Sequence, residues 1–279
     1  MSAAGPSQGA NRSPFGGQRR GLALPGRERG GPLSVPRFYC PGELAADDVG
    51  NEYALPDPVA HHALRVLRLT VGDRIALFTG EGGEFAATLV RADKRDAFAR
   101  IDAFDAVERE NPFRVTLVQG IAANDAMDHA VRRSVELGVA AIQPVLTTRS
   151  ARVPDGERGG KRLAHWRQIV VAACEQCGRN HVPEVRPVVT LERWLASRDP
   201  AMAGLVMSPT AEVSIAALPR PRDAIDVLVG SEGGFAPDEI AQAQNNGMTA
   251  IRLGPRVLRA ETAALASLAA INAAWGDFR

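Results

Sequence analysis

The sequence predicts an α/β protein with two folded parts, a small β-barrel followed by a domain in which a parallel sheet carries helices on both faces. Short strand-like runs separated by turns fill residues 35–107, which is typical of a barrel. After Asn111-Pro112 the pattern changes to alternating strands and helices, which favours a parallel sheet. The chain has 279 residues, 45% of them hydrophobic, and is therefore long enough to bury two cores.

The strands of the barrel are marked by apolar runs and by one glycine-rich turn. We expect strands at 74–78, 84–91 and 97–104. The stretch 80–83, Gly-Glu-Gly-Gly, predicts a hairpin between the first two of them.

One helix is expected to interrupt the barrel at His61–Leu69. Its apolar positions Leu64, Val66 and Leu67 would face inward and leave Arg65 and Arg68 outward. These arginines are either ordinary solvated charge or part of a basic face that follows nucleic-acid phosphates. The other members of that face would be Arg37, Arg74, Arg91, Lys94 and Arg95.

The second part begins with a clear alternation of strands and helices. We expect strands at 115–118 and 141–146, each followed by a helix, at 125–137 and 161–177. Connections of this kind place helices on both faces of a parallel sheet.

Two loops near the C-terminus stand out, Gly230–Phe235 and Leu253–Arg259. The first loop follows a strand-like run at 225–229 and precedes a helix that begins at Pro237. The second loop follows a strand-like run at 249–253 and precedes a helix, rich in small residues, from Ala260 to Trp275. Two such turns on parallel strands lie at the same sheet edge, where open α/β sheets bind ligands. Glycines there expose backbone N–H and C=O groups, so these loops predict a cofactor cradle. Ala236 cannot form a full capping box with Glu239.

The motifs resemble those of one enzyme family over roughly residues 36–279. The matching stretches are Arg37–Tyr39, His61–Arg68, Glu136–Val139, Glu175–Arg179, Gly230–Phe235 and Leu253–Ala263. In this order they resemble the bacterial 16S ribosomal RNA (uracil-N3)-methyltransferase family, within the SPOUT superfamily of knotted S-adenosylmethionine-dependent methyltransferases. A glycine-rich loop alone would be weak evidence, because such loops also bind phosphates in unrelated folds.

The resemblance implies a fold and a function. Composition predicts a disordered Gly/Arg-rich tail at 1–34, and the resemblance implies a PUA-like RNA-binding barrel at 35–110 and a SPOUT methyltransferase domain with a trefoil knot at 111–279. It further implies S-adenosylmethionine as cofactor, methylation at N3 of a uridine in the decoding region of 16S ribosomal RNA, action on an assembled small-subunit particle, and a homodimer.

Individual residues follow from the same resemblance. It implies that the cofactor is bound by Met207, Val229, Gly230, Glu232, Gly233, Gly234, Leu253, Gly254, Val257 and Leu258. The implied catalytic group is Arg259, Glu232, Arg256 and Asn180. The implied RNA-binding group is Arg37, Arg65, Arg68, Arg149 and Arg179.

The chemistry of uridine N3 methylation suggests roles for these residues. The imide proton must leave, and the resulting anion must be placed in line with the methyl group of the cofactor. Arg256 or Arg259 would stabilise charge on the uracil oxygens, and Glu232 would accept the proton or hold an arginine in place. Alternatively, Glu232 caps a neighbouring backbone amide, and the arginines pair with Glu232 or Glu261.

Cys174 and Cys177 have the spacing C-x-x-C, with His181 close behind. A closed zinc site needs four ligands, and the only other cysteine, Cys40, lies in the barrel. We therefore expect buried cysteines and no metal.

Two other functions remain open from the sequence. A phosphate-loop enzyme is one, although Gly230–Phe235 lacks the Lys-Ser/Thr ending of such loops. A noncatalytic RNA-binding protein is the other, against which the intact glycine loops argue.

The positive charge of the chain is concentrated near its N-terminus. The net charge is +1, but the tail 1–34 carries five arginines and one acid, and is either a disordered extension, a misassigned start or an RNA-contacting arm. Without a secretory signal or a membrane-length apolar run, we expect a cytoplasmic protein that uses no membrane.

Overall fold

The computed structural model describes residues 35–42, 44–93, 96–151 and 157–278. The tail 1–34 and the predicted basic residues Lys94 and Arg95 lie outside these residues.

The first part is a five-stranded sheet in the order β1-β3-β4-β5-β2, in which only β1 and β3 run parallel. Its strands are β1 (Arg37–Tyr39), β2 (Glu52–Ala54), β3 (Arg74–Phe78), β4 (Glu84–Ala92) and β5 (Ala97–Asp105). The strands expected at 74–78, 84–91 and 97–104 are confirmed, as is the hairpin at 80–83. Alternate residues of β4 and β5 enter the barrel core with Ile75, Leu77 and Phe38.

The helix predicted at His61–Leu69 is wrong in its bounds. Helix α1 (Asp57–His61) begins earlier, at a proline-containing first turn, and a π-helical turn (His62–Val66) follows it. The wider turn changes which side chains face the core, so Ala63 is buried while Val66 and Leu67 are 60% and 42% exposed. Arg65 and Arg68 are exposed as expected.

The second part contains seven strands whose pairings are all parallel, in the order β12-β10-β11-β6-β7-β8, with β9 also paired to β7. The strands are β6 (Arg114–Gly120), β7 (Ala141–Leu146), β8 (Glu184–Val185), β9 (Val189–Thr190), β10 (Gly204–Met207), β11 (Ala224–Val229) and β12 (Thr249–Ile251). The helices are α2 (Asn124–Glu136), α3 (Glu157–Cys177), α4 (Leu191–Ser197), α5 (Pro237–Asn245) and α6 (Ala260–Ala274).

Successive residues of the central strands enter two different cores, as the pleat of a strand requires. Leu117 and Val227 pack in the larger core with residues of α2, α3 and α6, whereas Val118 and Leu228 pack with residues of α4 and α5. The parallel sheet with helices on both faces is therefore confirmed.

Helix α6 is built mostly from small residues and packs closely against the sheet and α2. Ala264, Leu268 and Ile271 are fully buried, and Asn272 donates from Nδ2 to the Leu137 carbonyl at the end of α2 (2.7 Å).

The trefoil knot that the resemblance implies stays a prediction. None of the helices in the described ranges has both the length and the apolar character that a membrane crossing requires.

Candidate functional site

A cavity of about 410 Å³ lies where the strands β10, β11 and β12 end. Its walls come from the segments 207–210, 229–235 and 252–258, together with Arg149 and the first residues of α5 and α6. Because β11 and β12 both pair with β10 in parallel, their two following loops share one edge of the sheet, as the sequence predicted.

The predicted cofactor residues all line this cavity. They are Met207, Val229, Gly230, Glu232, Gly233, Gly234, Leu253, Gly254, Val257 and Leu258. Val257 is 82% exposed at the rim, whereas Val229 is buried at the base. The structure thus brings the set together, and its contact with a cofactor stays a prediction.

Glycines allow the loop 230–235 to turn back on itself. Gly234 has φ +66°, a conformation that side chains with a Cβ rarely adopt, and its amide donates to the Ser231 carbonyl (2.8 Å). On the neighbouring strand, a Cβ at Gly120 would stand 2.7 Å from the Ser231 nitrogen. Gln119 Nε2 donates to the Gly230 carbonyl (3.1 Å). The loop therefore depends on the end of β6, which sequence reasoning missed.

The segment after β7 braces the same loop from the other side. Arg149 donates to the Gly233 carbonyl (3.0 Å), and its own carbonyl accepts from Ser231 Oγ (2.8 Å). Glu239 links the same segment to the start of α5: its Oε1 accepts from the Thr148 amide and its Oε2 from the Ala236 amide, both at 2.8 Å. The acidic half of the capping box is therefore present even though Ala236 lacks an acceptor side chain.

Glu232 performs the capping role that the sequence left open. Its Oε1 accepts from the amide of Ala123, the residue before α2, at 2.8 Å. This contact ties the glycine loop to the start of α2 beside the cavity. A role in proton transfer stays a prediction.

Arg256 and Arg259 are both exposed. Arg256 lines the cavity, and Arg259 follows the lining residue Leu258 as the N-cap of α6. Among the described residues neither guanidinium forms an ion pair, so the pairing with Glu232 or Glu261 that the sequence allowed is absent. The two cations are thus available to an anionic ligand.

Three of the predicted site residues are buried away from the cavity. Asn180, predicted to be catalytic, is fully buried between the two sheets, with Nδ2 donating to the Val107 carbonyl (2.8 Å). Arg179, predicted to bind RNA, is 4% exposed and bonded to Glu110 and to the carbonyls of Val135 and Val139. Arg37, also predicted to bind RNA, is 8% exposed and paired with Glu84. All three side chains are bonded to protein groups, and their roles in catalysis and RNA binding stay predictions.

Burial also explains the cysteines. Cys174 is fully buried, its Sγ is 3.6 Å from the His181 carbonyl, and burial raises the pKa of its thiol to about 12. Burial likewise raises the pKa of the Cys40 thiol to about 12. Over the described ranges, no group of three or more His, Cys, Asp and Glu side chains has an arrangement suited to a metal ion.

Family models match both parts of the chain. The RNA methyltransferase domain matches residues 109–272, and the RNA methyltransferase PUA domain matches residues 55–102. Among curated proteins, Ribosomal RNA small subunit methyltransferase E from Mycobacterium bovis is 31% identical over 81% of this chain and 87% of its own length. The protein of the same name from a Buchnera aphidicola strain is 28% identical over 88% of this chain and 96% of its own.

Solved structures agree with these matches. Ribosomal RNA small subunit methyltransferase E from Neisseria gonorrhoeae, bound to S-adenosyl methionine, is 41% identical with a TM-score of 0.82, covering 88% of this chain and 100% of that one. A Legionella pneumophila methyltransferase in complex with the same cofactor is 36% identical with a TM-score of 0.83, covering 88% and 99%.

Proposed function

We propose that this chain, which belongs to the ribosomal RNA small subunit methyltransferase E family, methylates N3 of a uridine in the decoding region of 16S ribosomal RNA. The methyl donor is S-adenosylmethionine. The chain has the RNA methyltransferase and PUA domains. One observation carries the proposal: the two glycine loops meet at one sheet edge and line a single cavity of about 410 Å³. Two similar proteins of known structure hold S-adenosylmethionine.

The cavity has the chemistry that an adenosine-sized ligand requires. Gly230, Gly233 and Gly254 present backbone groups without a Cβ, and Val229, Leu253 and Leu258 provide apolar contact. At Gly234 the place of a Cβ is open space, so a larger residue would narrow the cavity. These residues would hold the cofactor, which when bound supplies an activated methyl group.

The chain itself must position the uracil and manage its charge. Arg256 and Arg259, exposed and without ion pairs in the described part of the chain, would stabilise the negative charge that develops on the uracil oxygens. Glu232 would serve as proton acceptor or, through its bond to Ala123, hold the loop in place. Glu232 is the carboxylate that the loop 230–235 contributes to the cavity, and it would accept the proton from N3.

RNA would be held by exposed arginines on both parts of the molecule. Arg65 and Arg68 lie on the exposed π-helical turn and its exit, where Arg68 has φ +57°. Arg149 lies at the cavity rim, bonded to the glycine loop. Phosphate contacts of this kind orient a nucleic acid without reading its sequence.

The assembly and its location extend the proposal. The small-residue helix α6 and the exposed Val257 at the cavity rim would pack against a second copy of the chain, giving a homodimer with the sites near the interface. The substrate would be an assembled small-subunit particle in the cytoplasm.

Calorimetry and nucleoside analysis test the function together. The protein should bind S-adenosylmethionine and not nucleoside triphosphates, and should form N3-methyluridine in small ribosomal subunits from cells that lack its gene. Gly120→Ala should weaken cofactor binding about tenfold or more, because the added Cβ meets the loop backbone. Gly160→Ala is the matched control, since nothing lies within 4 Å of its Cβ. Triphosphate binding without a response to the methyl donor would contradict the proposal, and cofactor binding without methyl transfer would indicate a noncatalytic RNA-binding protein.

A further inference from the structure

A largely buried polar network joins the barrel to the methyltransferase domain, and we call it the latch. It comprises Arg37, Glu84, Arg109, Glu110, Arg179 and Asn180. Arg37 on β1 pairs with Glu84 on β4 and donates from Nη2 to Asn180 Oδ1 (2.7 Å), just beyond the end of α3. Arg109 bridges Glu84 (3.1 Å) and the Gly178 carbonyl (2.9 Å).

The latch is supported by contacts around its edge. The Tyr39 amide on β1 donates to Glu175 Oε1 on α3 (3.0 Å), and the Gly83 amide donates to Glu108 Oε1 in the connecting segment (2.7 Å). Burial alone would raise the pKa of Glu84, but hydrogen bonds from Arg109 and Arg37 and their charges lower it below its ordinary value. The carboxylate is therefore held ionised between two arginines.

Apolar packing at this boundary provides attraction but little direction. Phe78 on β3 belongs to the main core of the methyltransferase domain, and the Arg37 guanidinium lies 5.0 Å from its ring centre. Hydrophobic contact is roughly proportional to area and tolerates rotation, whereas hydrogen bonds to both sides require one geometry. The latch thus fixes the orientation of the barrel.

We propose that the latch is a positioning device for RNA methylation: Arg37 and Arg109 hold the barrel in one orientation relative to the cofactor cavity, so that RNA bound on the barrel presents its uridine there. The proposal rests on the proposed function, and it gives the segment Glu175–Asn180 the role of positioning the barrel. Neither arginine touches substrate in this account. A displacement of about 1 Å at a reacting centre can cost about a hundredfold in rate, so a loosened latch should be visible in catalysis.

Arg37→Lys keeps the charge but replaces the forked guanidinium with a single ammonium group. Arg109→Lys makes the same change at a less buried site. Arg100→Lys is the matched control, because Arg100 also pairs with a barrel carboxylate, Asp102, but at the surface. Amide hydrogen exchange of full-length protein reports latch opening at Tyr39 and Gly83. The amide of Ile101, which donates to the Asn51 carbonyl inside the barrel, reports barrel unfolding.

Both latch variants should speed amide exchange at Tyr39 and Gly83 but not at Ile101. They should also lower kcat/KM for small ribosomal subunits about 10- to 100-fold. The Kd for S-adenosylmethionine should change less than about twofold. Arg100→Lys should change none of these. Unchanged methyl transfer despite faster Tyr39 exchange would overturn the proposal, as would unchanged Tyr39 exchange or equal acceleration at Ile101. Wild-type protein that forms no N3-methyluridine would instead overturn the proposed function.

Discussion

The rim of the cofactor cavity and the latch are both rich in charged residues, yet they use charge in opposite ways. At the rim, Arg256 and Arg259 are exposed and form no ion pair within the described residues. In the latch, Arg37 and Arg179 are nearly fully buried and bonded to carboxylates and carbonyls. Residue type alone does not separate a binding residue from a structural one; burial and the number of protein partners do.

The largest effect should come from breaking the latch on its methyltransferase side. Arg179→Ala leaves Glu110 and the carbonyls of Val135 and Val139 without their donor, which should cost about 3–5 kcal/mol of unfolding free energy. Chemical denaturation measures it. Arg186→Ala is the control, because its pair with Glu184 is exposed and should be worth less than about 1 kcal/mol. Equal losses of unfolding free energy in the two variants would show that the buried arginine of the latch contributes no more to stability than an exposed one.

The rim should respond in turnover and not in stability. Arg259→Ala should lower turnover about tenfold to a thousandfold, about 1.4–4 kcal/mol, with little change in cofactor affinity or Tm, because the side chain has no protein partner to lose in the described structure. Arg259→Lys should restore little, since the planar two-pronged contact is lost. Loss of Tm and cofactor affinity together would mean that Arg259 anchors the loop, and full activity would exclude both roles.

Acid should weaken the latch through Glu84. Its folded-state pKa is lowered below the ordinary 4.5, so its contribution is fully present above that pH and is lost as the pH falls through the lowered pKa. Glu84→Gln should therefore destabilise the protein by about 1.5–3 kcal/mol at pH 7, and by progressively less as the pH falls below 4.5. Urea unfolding of both proteins from pH 7 to pH 3 measures the difference. A difference that stays constant with pH would show that the ionised carboxylate is not what Arg37 and Arg109 stabilise.

The smallest effect is expected at the N-terminus. Removing residues 1–34 should leave Tm and cofactor affinity unchanged, since this glycine- and arginine-rich segment has too few large apolar residues to join a core. Overlaid thermal melts of the full and shortened chains test this. A large fall in Tm would show that the tail packs on the folded domains.

The sequence was sufficient to predict most of the fold. Periodicity and turn residues located β3, β7 and the start of α5 at their observed bounds. β3 lies between Gly72 and Gly80, and α5 begins at Pro237, so both have local end signals. It was less successful at α1, where a π-helical turn shifts the buried face, since no local signal distinguishes the wider turn from an α-helical one.

The site was predicted only in part, for a physical reason. Loops at the ends of neighbouring parallel strands must meet, so the residues of 230–235 and 253–258 could be grouped in advance. Arg37 and Asn180 are 143 residues apart and meet only through tertiary packing. Arginine is usually exposed, so sequence reasoning placed Arg37 on a basic face, whereas RNA binding by Arg179 was expected from the resemblance. The carboxylates that bury them, Glu84 and Glu110, carry no motif of their own.

Nucleoside mass spectrometry of 16S ribosomal RNA from cells lacking the gene tests whether this chain forms N3-methyluridine. We expect N3-methyluridine to be absent from that RNA, the wild-type gene to restore it, and a gene encoding Arg259→Ala to restore much less of it. Unchanged N3-methyluridine in the deletion strain would contradict the assignment of this chain as the enzyme that makes it.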